Sequence, residues 1–347
     1  MKKTHRYLTF CLLALLSVGS SLSAQPTGTN GVVDLAEFPA AGVLAGAGDQ
    51  LLLHIVQQLE NRPNISANVQ QRASLDGWLM EGGGRYLQQF DAGRQKIRVR
   101  FDLRAQIEGR QVRLLQVSDG DRLWTDQRTP QGRHVTSVDL RRLRRNLQLA
   151  FAELPAGEAR GLPLQLELSV EQGGLPALIA GLRENFTFSP PVSLWLGQTE
   201  VEGTIGFWKM EKLAHYLKRS EHEKSPAPVN TRAPIPSHLP ASVLLVVGAG
   251  DRFPYIIEFR REEASDKFSG NGQTALQLQA NPLMLLRFYE RDFDTVINPE
   301  QFEYAQGMDV ETIDLTAERL ERLHRLQQNN VASSSPVPIA PTTGARR

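Results

Sequence analysis

The chain has 347 residues, of which 41% are hydrophobic, and its 39 Lys and Arg residues nearly balance 38 Asp and Glu residues to give a formal net charge of +1. With so small a net charge, the protein as a whole does not attract polyanions, which argues against a general nucleic-acid-binding protein. The only cysteine, Cys11, lies near the amino terminus. Neither a disulfide framework nor a thiolate nucleophile or metal site is expected in the rest of the chain.

Residues 1–24 have the pattern of a secretory signal peptide, in which the basic residues Lys2, Lys3 and Arg6 precede an apolar run and then small residues. A membrane anchor is the alternative, but the apolar run is shorter than the ~20 residues that a bilayer span needs. The chain is therefore predicted to be periplasmic. Cys11 lies inside the apolar run, so no lipidation is expected, and loss of this segment removes three basic and no acidic residues, changing the net charge to −2.

A spacer rich in Gly and Ala occupies 25–48, and a helix is predicted to follow it. Asp49 can cap this helix, and Asn61-Arg62-Pro63 ends it. The apolar residues of the helix fall on one face, which is typical of a helix packed on a core. His54 lies off that face and is expected to be exposed.

Residues 78–125 predict an antiparallel meander with one apolar face, preceded by a strand over 65–77. From Lys96 to Arg104, apolar and charged residues alternate with the two-residue period of a half-solvated strand. Gly82-Gly83-Gly84 is expected to break the strand before it. Ser118-Asp119-Gly120-Asp121 is expected to form the tight turn of the following hairpin.

A second helix is predicted over 138–154, where an apolar stripe runs beside Arg141, Arg142, Arg144 and Arg145. This arginine cluster could dock on the anionic headgroups of a membrane surface, and the alternative is a solvated helix face.

The remaining elements are predicted to be mostly strands with short connections, which favours an antiparallel sheet. We expect one domain over 49–328, an exposed loop over 220–240, and a disordered tail over 329–347. Strands are predicted at 162–170, around 195, at 201–208, 243–247, 255–260, 275–279 and 285–289, with helices at 176–184 and 311–328.

No residue pattern points to catalysis, a metal or a cofactor. Gly248-Ala249-Gly250 resembles the start of a dinucleotide fingerprint, but Phe253 stands where the third small residue is needed, so a hairpin turn is favoured. His215 and His222 lack the i, i+4 spacing of two ligands on one helix face. The chain is therefore predicted not to be an enzyme, with neither catalytic residues nor a metal site.

Three segments together resemble the periplasmic lipoprotein-carrier (LolA-like) family: 82–87, the hairpin 117–124, and 297–304 leading to Asp314-Leu315-Thr316. The resemblance implies a mainly β fold with helices, an unclosed antiparallel β-barrel wrapped over those helices. The chain looks like an enlarged relative, because 134–240 is longer than in the carriers. Phe90 stands where the carriers place a cavity arginine, so a ligand is expected to be held by apolar contact with little dependence on headgroup charge.

The resemblance implies a carrier-like protein that holds a lipid or an acylated protein in a hydrophobic half-barrel. The alternative is an envelope regulatory or scaffold module that uses the same fold to bind a protein partner. The residues predicted to line the ligand cavity are Trp78, Tyr86, Phe90, Ile97, Val99, Phe101, Leu103, Leu115, Val117 and Trp124.

Overall fold

The computed structural model describes residues 46–75, 78–91, 96–107, 109–152, 174–214, 235–236, 239–261, 278–279, 281–307 and 310–321. The signal peptide, the tail and the strand expected at 162–170 lie outside these residues, as do His215, His222 and most of the loop at 220–240. The division of the chain into these segments therefore stays a prediction.

Three helices of at least 12 residues and one sheet of 13 strands make up most of the described chain, and 210–214 and 316–321 are also helical. The helices are α1 (Ala47–Asn61), α2 (Leu140–Ala152) and α3 (Gly174–Asn185), with a 3-10 helix at Pro299–Phe302. The first six strands are β1 (Asn64–Leu75), β2 (Trp78–Asp91), β3 (Lys96–Ile107), β4 (Arg110–Ser118), β5 (Arg122–Thr129) and β6 (Gly132–Asp139). The others are β7 (Phe186–Phe188), β8 (Val192–Leu196), β9 (Thr199–Trp208), β10 (Ser242–Gly248), β11 (Pro254–Arg260), β12 (Met284–Asp292) and β13 (Thr312–Asp314).

The sheet consists of two antiparallel meanders joined where β1 pairs with β12. The strand order is β13-β6-β5-β4-β3-β2-β1-β12-β11-β10-β9-β7, and β8 also pairs with β9. Every described pairing is antiparallel except that of β13 with β6. The end strands β13 and β7 do not pair with each other, so the described sheet does not close. The predicted fold class, mainly β with helices on an unclosed antiparallel sheet, is confirmed.

The glycines at 82–84 do not break a strand, and this prediction is wrong. Strand β2 runs through them and pairs with β1 and β3 along its length. A Cβ on Gly84 would lie 2.0 Å from the carbonyl oxygen of Asp102, and one on Gly82 would lie 2.5 Å from the Cβ of Ala105. These glycines therefore allow β2 and β3 to approach closely.

Three helix boundaries differ from the predictions. Helix α1 begins at Ala47 with Gly46 at its N-cap, so Asp49 lies in the first turn and is not the cap. Val138 belongs to β6, a strand that the sequence did not predict, and α2 begins only at Leu140. Residues 312–314 form β13, and 316–321 are helical. His54 is exposed, as predicted.

The alternation predicted for β3 is confirmed and extends to Ile107. Ile97, Val99 and Leu103 are buried, Arg104 is exposed, and Phe101 is half-buried. We call the face of the sheet to which Val99 belongs the inner face, and the opposite one the outer face. Residues directly opposite in an antiparallel pair share a face, so the strand register assigns the residues of the neighbouring strands to the inner or the outer face.

The turn between β4 and β5 joins three elements through Asp119 and Asp121. One carboxylate oxygen of Asp119 accepts hydrogen bonds from the backbone N–H groups of Asp121 and Arg122, both at 2.7 Å. The carboxylate of Asp121 binds Lys96 at the start of β3 and Arg141 on α2. The predicted tight turn is therefore confirmed, and it anchors the second helix.

We expect Asp121→Asn to make the protein less stable at neutral pH and less sensitive to acid. Hydrogen bonding by Arg141, together with Lys96, holds the pKa of Asp121 well below its usual value. Because the folded-state pKa is depressed, the stabilisation is present above the unfolded value of about 3.9 and is lost as the pH falls below it. Urea unfolding of both forms between pH 7 and pH 3 measures the difference. Parallel loss of stability in both forms on acidification would contradict this role.

Candidate ligand-binding face and rim

One continuous apolar cluster covers the inner face from β4 to β10 and includes both α1 and α3. The helices contribute Leu52, Ile55 and Leu59 from α1 and Ile179 from α3, all at most 1% exposed. Gly48 has no Cβ, which lets α1 approach the sheet at β7, since a Cβ there would lie 2.6 Å from the Cβ of Phe188. Among the described residues, the inner face is thus covered by helices α1 and α3 and not by a second sheet.

Six of the predicted cavity residues lie together in this cluster. Tyr86, Ile97, Val99 and Leu103 are buried, while Phe90 and Phe101 are half-buried and pack against the others. Their burial is by protein side chains, including those of α3, which contacts β3. Trp78 begins β2, and its side chain is not among those described.

Leu115, Val117 and Trp124 lie on the outer face, so the prediction that they line the ligand cavity together with the residues of the inner face is wrong. Leu115 is opposite Asp102, and Val117 is opposite both Arg100 and Trp124. Asp102 and Arg100 occupy the outer face of β3. The residues of β4 that do face inward are Val112, Leu114, Gln116 and Ser118.

The strap, defined as residues 297–304, covers this part of the outer face. Tyr304 stacks on Trp124 with ring centroids 5.9 Å apart, and Arg100 donates a hydrogen bond of 2.9 Å to the carbonyl oxygen of Gln301. Asp126 is 3% exposed and binds Arg133 through both carboxylate oxygens. Burial alone would raise the pKa of Asp126, but the hydrogen bonds of Arg133 hold it below its usual value.

A buried polar pair on β2 ties both helices to the inner face. The hydroxyl of Tyr86 accepts a hydrogen bond of 3.0 Å from the backbone N–H of Leu175, at the start of α3, and donates one of 2.6 Å to Gln88. The amide of Gln88 donates to the carbonyl oxygen of Leu59 on α1. Burial raises the pKa of Tyr86, so the phenol stays protonated and able to donate.

The arginine cluster on α2 divides into two pairs. Arg141 binds Asp121, and Arg144 donates a hydrogen bond of 2.6 Å to the carbonyl oxygen of Gly120. Arg142 and Arg145 are exposed. The first pair therefore holds the helix on the β4–β5 turn, and the second pair is available to solvent.

A charged and aromatic cluster lies where the end of α1 meets the β10–β11 turn and the end of β12. We call it the rim cluster, and it consists of Arg62, Asp251, Tyr255, Arg291 and Phe293. The Arg62 guanidinium lies over the Phe293 ring, 3.7 Å from its centroid, and its Nη2 donates to the backbone carbonyl of Asp251. Arg291 Nε donates a hydrogen bond of 2.6 Å to the Asp251 carboxylate and lies 4.4 Å above the Tyr255 ring.

A row of aromatic rings connects the rim cluster with the centre of the inner face. Successive centroid distances are 5.7 Å from Phe293 to Phe253, 5.8 Å from Phe253 to Phe288, and 6.3 Å from Phe288 to Tyr86. All three contacts are edge-on, the arrangement that aromatic pairs favour. Sequence reasoning missed the rim cluster because Asn61-Arg62-Pro63 indicated only the end of a helix.

None of the described helices combines the length and the apolar composition that a membrane span requires. Within the described part of the chain, no three or more His, Cys, Asp or Glu side chains form a group that could hold a metal ion.

No protein-family model and no curated protein matches the sequence. Similar solved structures include the Pseudomonas aeruginosa MucA/MucB complex, with a TM-score of 0.36, 7% identity, and coverage of 74% of this chain and 60% of that chain. LprF from Mycobacterium bovis has a TM-score of 0.29 and 9% identity, covering 73% and 99% of the two chains. A LolA superfamily protein from Nitrosomonas europaea has a TM-score of 0.24 and 12% identity, covering 76% and 99%.

Proposed function

We propose that this is an exported periplasmic protein that holds an acyl chain or another apolar ligand, free or attached to a protein, against its inner face without catalysing a reaction. The observation that carries the proposal is the inner face itself. It is apolar across both meanders, its sheet does not close among the described strands, and its described cover consists of two helices.

Three half-buried side chains mark a place where a ligand chain could enter. Phe101 on β3, Val112 on β4 and Leu178 on α3 all pack against the apolar cluster, and none of them is fully covered. They lie on α3, on the strand that α3 contacts, and on the next strand of the sheet. A ligand inserted here would replace apolar contacts between helix and sheet with apolar contacts to its own chain, and few polar groups would lose their hydrogen bonds.

The described polar contacts of α3 with other elements lie at its two ends. The Leu175 N–H donates a hydrogen bond to Tyr86 at the amino-terminal end, and Lys209 and Lys212 bind the carbonyl oxygens of Arg183 and Asn185 and the carboxylate of Glu184 at the carboxyl-terminal end. The segment between these ends, which includes Leu178 and Ile179, packs against the apolar cluster. This segment can shift over an apolar face, because apolar contacts are not directional.

We expect saturable binding of fatty acids, with an affinity that rises with chain length. Burial of each CH₂ contributes about 0.8 kcal/mol, or roughly a fourfold increase in affinity. Displacement of a fluorescent acyl probe by acids of ten to sixteen carbons measures the series. Phe101→Gln should weaken every member about tenfold, since it places an amide at the proposed entrance. Arg104→Gln, an exposed change on the same strand, should weaken none.

An affinity that does not vary with chain length would contradict burial of the chain. Absence of saturable binding by any probe would instead favour the second candidate, a regulatory or scaffold protein that binds a protein partner. Trp195 supports that candidate, because it is 65% exposed on β8, which pairs with β9 alone among the described strands. An unpaired strand edge can accept an extended segment of another chain.

A further inference from the structure

The rim cluster contains more positive than negative charge. The carboxylate of Asp251 is already committed, since one oxygen accepts from Arg291 and the other accepts a hydrogen bond of 3.0 Å from the backbone N–H of Phe253. Tyr255 donates to the oxygen that Arg291 binds, at 3.4 Å. The rim cluster thus contains two guanidinium groups, those of Arg62 and Arg291, and one carboxylate, which Arg291 binds.

Arg62 has an unused donor. Its Nη2 donates to the backbone carbonyl of Asp251, whereas its Nη1 is buried and has no hydrogen-bond partner among the described residues. No described carboxylate lies within salt-bridge distance of it. A buried guanidinium N–H without an acceptor is unfavourable, and burial lowers the pKa of Arg62 from its ordinary value. An oxyanion at Nη1 would satisfy the donor and balance the surplus charge.

The surroundings of Arg62 fit the rest of an amphiphile. Phe293 supports the guanidinium and is also the first ring of the aromatic row that leads to Tyr86. Beyond Phe293 the rings are buried in the apolar cluster, so the chain of a ligand whose head binds Arg62 would pack among apolar side chains that continue inward from the same point. The ligand that fits this arrangement is an amphiphile with a single negatively charged head and an apolar chain.

We propose that Arg62 is the headgroup subsite of the ligand-binding face, and that it selects amphiphiles with a carboxylate head over neutral ones of equal chain length. This inference rests on the proposed function, because it assigns the head of a ligand whose chain lies on the inner face. It also differs from the sequence expectation of charge-independent binding, which considered only Phe90.

The test compares a fatty acid with its methyl ester and with the alcohol of equal chain length, by displacement of a neutral fluorescent acyl probe. The wild-type protein should bind the acid about tenfold or more tightly than either neutral ligand, since a hydrogen bond to a charged group is strong in a partly buried site. Arg62→Met, which can still pack on Phe293, should abolish this preference, measured as the ratio of the affinities for acid and ester within the same variant. Arg62→Lys should retain part of it.

Two outcomes would overturn the subsite while leaving the proposed function intact: equal binding of acid and ester by the wild type, or an unchanged preference in Arg62→Met. If no ligand binds saturably, the proposed function itself fails. Should Arg62→Met not fold, arginine side-chain NMR of the wild-type protein decides, because the Arg62 signal must shift with the acid and not with the ester. Arg104→Gln, an exposed change on the outer face of β3, is the matched loss of charge and should keep the full preference.

Discussion

Replacing Gly84 with alanine is expected to destabilise the protein by more than about 3 kcal/mol, a large effect for the addition of one methyl group. The new Cβ would lie 2.0 Å from the carbonyl oxygen of Asp102, which belongs to the backbone of the neighbouring strand and cannot rotate away. Either β2 and β3 must separate or their hydrogen bonds must distort. Chemical denaturation of the purified variant measures the loss.

Gly83→Ala is the matched control. A Cβ on Gly83 would have as its nearest neighbour the carbonyl oxygen of Val69 at 3.5 Å, an ordinary contact, and Gly83 is exposed. Since alanine restricts the unfolded chain more than glycine, this change should be neutral or stabilise by up to about 1 kcal/mol. Equal effects at the two positions would mean that β2 and β3 do not approach closely.

Val99→Asp is expected to cost more than about 4 kcal/mol and to leave little folded protein, because it places a carboxylate within the apolar cluster. Val99 is fully buried on the inner face, beside the hydroxyl of Tyr86 and the start of α3. Phe101→Asp should cost less, since Phe101 is half-buried. Thermal unfolding followed by circular dichroism measures all variants.

Arg104→Asp completes the series with the same new side chain on the outer face of β3. Arg104 is exposed, so the substitution should change stability by no more than about 1 kcal/mol. Similar losses for Val99→Asp and Arg104→Asp would mean that β3 is buried on both faces or that its register is wrong.

The sequence predicted burial best in a strand with one solvent-exposed face. The alternation from Lys96 to Arg104 indicates which residues are buried, because burying a charged side chain is unfavourable, and β3 has this pattern in the structure. The run Leu114-Leu115-Gln116-Val117-Ser118 does not alternate, because Leu114 packs in the apolar cluster of the inner face while the strap covers the outer face in this region. All five residues are buried, so the pattern could not show which of them face inward.

The two features that were missed have different causes. Strand β6 pairs with its neighbour β5 in a hairpin, but it has apolar and polar residues on both faces, so its side-chain pattern does not indicate a strand. The rim cluster joins Arg62 to Asp251 and Phe293, which lie far apart in the sequence and which local periodicity cannot bring together. The sequence could show that Phe90 replaces the arginine of the carriers, but it could not show that the guanidinium of Arg62 lies beside the aromatic row.

The pairing of β1 with β12 constrains how the protein acquires its structure during synthesis. Strand β1 is made first and lies in the middle of the sheet, with Val69 opposite Phe288. Until the last large strand is available, one edge of β1 has no native neighbour and can pair with other extended chains. Nascent chains that end before residue 284 should therefore depend on chaperones, and the seam between the two meanders should form late in folding.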